Sequence, residues 1–267
     1  LIYAYCDALR PVRSAELAPT FSEYGAAAAH FGARIARCLI TAPDFDPDDR
    51  LLAFLEAQKP DVLFLCTPNN PTGRTLPRGL LESVLALAAR QGTRVLLDEC
   101  FLDFTDAESA KALLPRYPNL LILKAFTKSY ALAGVRVGYC LTADAALLSA
   151  MAACTQPWNV SLLAQAAGVA ALREQDWLAR AKEILTCERA YMTQELTQLG
   201  FSVCPSEANY LLFSAPVGLD AALLREGIAI RSCANYAGLG AGWYRTAVRL
   251  REENEALLDA MRRVTEE

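Results

Sequence analysis

The 267-residue sequence carries 26 basic and 30 acidic side chains, a formal net charge of −4 with a pI near 5.3. That balance argues against nucleic acid or an anionic membrane surface as a partner. Hydrophobic residues make up 54% and charged residues 21%, enough to bury a large core, or a large and a small one. Mean hydropathy is high at +0.19, yet the apolar runs are short: VLFLC (62–66) and LLIL (120–123) have strand length, not membrane-spanning length. The opening LIYAYCDALR lacks the basic start and apolar core of a signal peptide. The first residue is Leu1 and no element clearly begins there, which reads as a fragment of a longer chain. The nine cysteines are scattered without a CxxC pair, as expected of reduced thiols in a cytosolic protein. One histidine, His30, in a helical stretch ending at Gly32, leaves no basis for a metal site.

In chain order, RIARCLI (34–40) predicts a strand and 46–58 a helix with Asp46 near its N-cap. Strand 61–66 and a polar loop follow, then helix 77–92 with Gly92 past its end. Strand 94–99, helix 109–117 and strands 119–125 and 134–142 continue the series. Such alternation predicts an α/β fold: a doubly wound, mostly parallel sheet covered by helices. From about residue 160 the pattern changes. Helices 161–173 and 176–200 come without a strand between them, followed by strand 209–215, helix 219–227, strands 228–232 and 244–250, and a final helix 251–263. The expectation is a large domain over 1–170 and a smaller α+β domain over 171–267.

Ligands of open α/β sheets bind beyond the carboxyl ends of the strands, and polar residues follow three of the predicted strands. In CTPNNPTGR (66–74), Pro71 stiffens the loop and holds Asn70 extended at a strand end; on spacing alone the segment is equally a plain turn. Asp98 ends the apolar strand in LLDEC (96–100), where a carboxylate is either exposed or paired with a cation. The third place is LILKAFTKSYALAGVRVGY (121–139). Lysine is scarce, five residues against 21 arginines, and Lys128 lies just past a strand between Thr127 and Ser129, with Arg136 downstream. Arginine and hydroxyls suit a phosphate, and a lysine there can form an imine with a carbonyl cofactor. An isolated lysine would read as a solvated surface residue. The Gly-rich AGLGAGW (237–243) lacks a full GxGxxG and precedes a strand, so it reads as a loop and leaves a nicotinamide dehydrogenase the weaker idea.

Taken in order, PNNPTG, LLDE, FTKSYALAGVRVGY and YRTAVRLREEN resemble fold-type-I pyridoxal-phosphate (PLP) enzymes, specifically the group of histidinol-phosphate aminotransferases and threonine-phosphate decarboxylases. The resemblance runs from about Pro19 to the C-terminus. It implies that Lys128 carries the cofactor as a Schiff base and moves protons at the substrate Cα. Asp98 would pair with the pyridine nitrogen, Asn70 with the phenolic oxygen, and Phe21 would stack on the ring. Thr127 and Arg136 would hold the cofactor phosphate. Arg245 would grip the substrate carboxylate, and Arg231 a second anionic group; Asn209 matches a further family position without an assigned role. Two positions depart from the pattern: Phe101 stands where many relatives have tyrosine, and Ala125 where a hydroxyl residue usually helps hold the phosphate. The resemblance also implies that the N-terminal part of the family fold, including a phosphate-cradling loop, is not in this sequence, which would weaken cofactor binding. The implied protein is a cytoplasmic homodimer acting on a phosphorylated amino acid. Threonine-phosphate decarboxylation is favoured by YAGLGAGWYRTAVRLREENEAL, DECFLDF and KAFTKSY, with histidinol-phosphate transamination close behind. A non-catalytic PLP-binding regulatory domain is a distant alternative, since no basic winged-helix segment is present.

Overall fold

A computed structural model describes residues 1–174 and 176–266. Six strands form one sheet in the order β2-β1-β3-β4-β5-β6: β1 (Arg13–Ala18), β2 (Arg34–Leu39), β3 (Val62–Cys66), β4 (Arg94–Asp98), β5 (Leu120–Ala125) and β6 (Gly138–Thr142). The first five run parallel, and β6 pairs antiparallel with β5 at one edge. Alternate side chains feed two cores. Leu63, Leu65, Val95, Leu97 and Ile122 pack with α3 (Arg50–Gln58) and α4 (Arg78–Gln91). Val62, Phe64, Leu96 and Leu121 pack with α1 (Ile2–Leu9), α2 (Glu23–His30) and α6 (Ala145–Ala153). Covering both faces explains why the central strands are continuous apolar runs. The predicted doubly wound sheet is therefore present. Its chain order reverses between β1 and β3, which opens a crevice at their carboxyl ends.

Several expectations need correction. Both α1 and β1 escape the sequence pattern: β1 reads RSAELA, poor in strand formers, and is carried by tertiary pairing. Its Glu16 is buried opposite Arg37 of β2, whose Nε donates to Glu16 at 2.7 Å. Asp46 does not cap α3, which starts at Arg50; it accepts instead from Arg74 Nε at 2.6 Å. The helix expected over 109–117 is only a 3-10 turn, Ala110–Leu113. The first part of the strand expected over 134–142 is a 3-10 turn, Ala133–Val135, and Arg136 follows in the left-handed region at φ 60°.

After α7 (Leu162–Ala171) and α8 (Trp177–Gln198), a four-stranded sheet forms in the order β7-β8-β10-β9. Its strands are β7 (Ser202–Val203), β8 (Tyr210–Ser214), β9 (Arg231–Ser232) and β10 (Trp243–Ala247). Here β7 is unanticipated and β9 is shorter than the expected 228–232. Helices α8, α9 (Leu219–Arg225) and α10 (Arg251–Glu266) pack on it through Met192, Leu196, Leu223 and Leu258. No helix among the described residues is long and apolar enough to cross a membrane.

The segment after β3 fastens the two sheets together. Tyr210 Oη donates to the Asn69 carbonyl at 2.9 Å, Thr75 Oγ1 to Glu207 Oε1 at 2.6 Å, and the Glu207 N–H to the Gly73 carbonyl at 2.9 Å.

Glu188 of α8 ties the last helix down. It accepts from Arg251 Nε at 3.1 Å and from Asn254 Nδ2 at 2.8 Å, and the Arg251 hydrogen bond holds its carboxyl below the usual range despite burial. A depressed acid stabilises the fold above its unfolded pKa, and that contribution fades as pH falls through the folded value. Glu188→Gln is therefore expected to melt below the parent at pH 7, with the gap narrowing at a second, acidic pH below the ordinary glutamate range. Melting curves at the two pH values check this; a constant gap would mean that the ion pair is not the stabilising element.

Candidate active site

The eight residues given a role from the sequence sit just beyond strand ends of the large sheet or on β9 and β10 of the small one, whereas Asn209, just before β8, lines a separate groove. Phe21 follows β1, Asn70 follows β3, Asp98 closes β4, and Thr127 and Lys128 lie in a single helical turn, α5 (Phe126–Ser129), directly after β5. Asp98 is in register with Cys66 of β3 and Leu123 of β5, so the three central strands deliver their end groups to one place. Arg136 follows the 3-10 turn, while Arg231 and Arg245 are paired opposite each other on β9 and β10. All eight residues line one cavity of about 410 Å³. A larger groove, about 640 Å³, runs beside α8, but its lining is mostly apolar and its Arg249 is already paired with Glu253.

The charge distribution is lopsided. Lys128, Arg136, Arg231 and Arg245 face the cavity, and none has a carboxylate partner among the described residues; Asp98 is the one acid in the lining. Four cations around one anion leave an excess that only anionic ligands can neutralise. Asp98 is buried, its Oδ2 accepting from Tyr24 Oη at 2.6 Å and its Oδ1 from the Cys100 N–H at 2.9 Å. Asn70 is buried too and accepts at Oδ1 from Arg245 Nη1. A guanidinium only donates, so this contact fixes the amide and turns the Asn70 Nδ2 donors away from Arg245.

The turn carrying Lys128 is braced from behind. Asp103 accepts from Lys124 Nζ at 2.7 Å through one oxygen and from Ser129 Oγ at 2.7 Å through the other. Trp177 Nε1 donates to the Ser129 carbonyl at 2.7 Å. Burial works against charge on Lys124, but the Asp103 hydrogen bond and charge outweigh it and lift its pKa overall. Lys124 is thus a committed structural cation, whereas Lys128 is exposed, with its Nζ 5.7 Å from the centre of the Phe101 ring. Arg136 Nη1 touches only the nearby Ala133 carbonyl, at 2.9 Å, and Arg231 Nη2 contacts Asn235 at 3.3 Å.

Residues 15–261 match the sequence profile described as aminotransferase class I and II. The chain belongs to that family. Among relatives, the threonine-phosphate decarboxylase of Salmonella typhimurium is 39% identical over 98% of this chain and 74% of its own. Histidinol-phosphate aminotransferase 2 of Ralstonia nicotianae is 38% identical over 90% of this chain, which covers 65% of that relative's length. Among solved structures, the histidinol-phosphate aminotransferase from Clostridium acetobutylicum aligns with a TM-score of 0.92 at 25% identity, covering 99% of this chain and 81% of that one.

Class I and II aminotransferases depend on PLP, and the cavity of this family member fits that group. It offers a buried carboxyl group (Asp98), an amide donor (Asn70), a half-buried aromatic ring (Phe21), a primary amine (Lys128), and the Thr127 hydroxyl with Arg136 for a phosphate. The hydroxyl absent at Ala125 is not replaced by another in the lining on that strand.

Sequence reasoning did not single out Tyr24, Asp103, Trp177 or Tyr236. Tyr24 lies in the first turn of α2, three residues after Phe21 in the loop that enters it, and the two rings meet edge to face at 5.6 Å. Asp103 and Trp177 are 74 residues apart and meet only through Ser129, so no local pattern reveals them.

Proposed function

We propose that this chain forms the PLP-binding part of an enzyme that decarboxylates threonine phosphate. The cavity's four carboxylate-free cations carry the reading. Arg136 with Thr127 suits the cofactor phosphate, and Lys128 the cofactor aldehyde. Two arginines, Arg231 and Arg245, then remain for a substrate with two anionic groups, such as an amino acid bearing a phosphate. The likeness to the Salmonella enzyme supports the same choice.

Bound there, PLP would supply an electron sink for the charge left on the substrate Cα. Asp98 provides a buried negative charge to keep the ring nitrogen protonated. Asn70, with its amide turned by Arg245, offers Nδ2 to the phenolic oxygen. Phe21 would cover the ring face. Lys128 Nζ, with no acid to hold it, is free to take or return a proton at Cα. Which bond breaks depends on which lies perpendicular to the ring, and the grip of Arg245 and Arg231 on the carboxylate and phosphate sets that orientation.

The deciding experiment supplies the purified protein with PLP and measures CO2 release from threonine phosphate against keto-acid-dependent amine transfer from histidinol phosphate. CO2 release is expected. Amine transfer without CO2 would replace the decarboxylase reading with the transaminase one, and PLP binding without either reaction would favour a regulatory domain.

The same proposal includes two units, 1–170 and 171–267, with substrate held between them, and work in the reducing cytoplasm, where nine unpaired cysteines are at home. It also includes a homodimer. Trp158 is 97% exposed and Leu162 and Leu163 are 80% exposed, apolar side chains close in sequence that a second copy could cover.

A further inference from the structure

Asp98 is an ionisable acid in a buried place, and its two direct partners are neutral. Tyr24 reaches one oxygen through its phenol at 2.6 Å, and the Cys100 N–H reaches the other at 2.9 Å. Tyr24 itself cannot wander. It is completely buried, stacked on Phe64 of β3 with ring centres 5.4 Å apart and planes 7° from parallel, and Phe21 meets its edge at 5.6 Å. Burial first, and then the Asp98 charge, push the phenol far above its ordinary pKa. The proton therefore stays on Tyr24, and the phenol is a permanent donor.

Two donors on a carboxylate do two things. They fix its plane, which sets the direction of the lone pairs left for a ligand, and they draw off charge, which lowers its basicity. A cofactor ring nitrogen facing Asp98 shares one proton with it, and the weaker the carboxylate as a base, the more of that proton remains on nitrogen. On the reading that the cavity holds PLP, we infer that Tyr24 is a positioning residue that keeps Asp98 a weak, correctly aimed base so that the ring nitrogen retains its proton. Tyr24 touches no substrate atom in this role; it acts through Asp98.

The test uses the protein loaded with PLP labelled with 15N at the ring. In Tyr24→Phe the carboxylate regains basicity, and the ring-nitrogen resonance is expected to move toward that of an unprotonated pyridine. Turnover should fall about tenfold with KM within about twofold, the scale of one hydrogen bond to a charged group. Replacing Tyr24 with 3-fluorotyrosine, a stronger donor of nearly unchanged shape, is expected to leave the nitrogen at least as protonated as in the parent. This second variant decides the matter should Tyr24→Phe fold poorly. An unchanged resonance in a Tyr24→Phe protein that still binds the label would overturn the inference, as would a fluorotyrosine shift toward unprotonated pyridine. If the parent protein itself takes up no label, the reading of the cavity falls and this inference with it; loss of signal in the variant alone leaves that reading standing.

Discussion

Lys128→Ala is expected to abolish both covalent attachment of PLP and turnover. The parent, supplied with PLP, should show an imine-type absorbance band and become permanently labelled on borohydride reduction; the variant should show neither, with kcat lower by at least ~10³-fold. The size of the effect follows from the inventory around it. Lys124, the other lysine near the cavity, is locked to Asp103 at 2.7 Å with Glu99 3.9 Å away, so it cannot stand in. Lys128→Arg keeps the positive charge but not an amine able to condense with an aldehyde, and should be equally inert. A reducible adduct surviving in either variant would move the attachment point elsewhere and reject the assignment of this site.

Gly73→Ala should be among the most destabilising single-methyl changes available in the chain. Gly73 has φ +74°, a left-handed conformation that alanine adopts only with strain, and an added Cβ would lie 2.1 Å from Ser206 Oγ and 2.7 Å from Ser206 Cβ. The Gly73 carbonyl receives the Glu207 N–H at 2.9 Å, so the loop cannot back away without breaking its hold on the small sheet. Backbone strain plus overpacking should cost about 3 kcal/mol, a fall in melting temperature of roughly 6–12 °C for a chain of this size. Gly73→Ala with Ser206→Gly should recover the part due to the clash, leaving the φ strain, so a double-mutant cycle separates the two. A single variant that melts within about 2 °C of the parent would show that the contact is loose.

The large sheet was legible because β3, β4 and β5 are buried on both faces and read as unbroken apolar runs, each closed by a polar residue at the point where the chain leaves the sheet. That same punctuation marked Asn70, Asp98 and Lys128. By contrast, β1 depends on Glu16 meeting Arg37 across a strand pair, and no one-dimensional pattern announces a strand built on a cross-strand ion pair. The helix expected over 109–117 rests on Ala110, Leu113 and Leu114 at helical spacing, yet Glu99 claims the Ser109 hydroxyl and the Ala110 N–H at 2.7 Å each, anchoring the segment as a short turn. The partners behind the site stayed hidden for a related reason. Tyr24 matters only because β4 brings Asp98 to it from 74 residues away.

The fastening of loop 66–76 to the small sheet makes the two halves of the proposed substrate seat mechanically unequal. Arg245 is moored to Asn70 and so to the loop, whereas Arg231 hangs from a two-residue strand with one long hydrogen bond to Asn235 and the Tyr236 ring 6.0 Å away. The cavity is thus a vice with one fixed jaw and one adjustable jaw. Amino acid changes around residues 231–242 can retune which molecule is clamped while leaving the seat of the ring untouched, so new substrate preferences should arise there first.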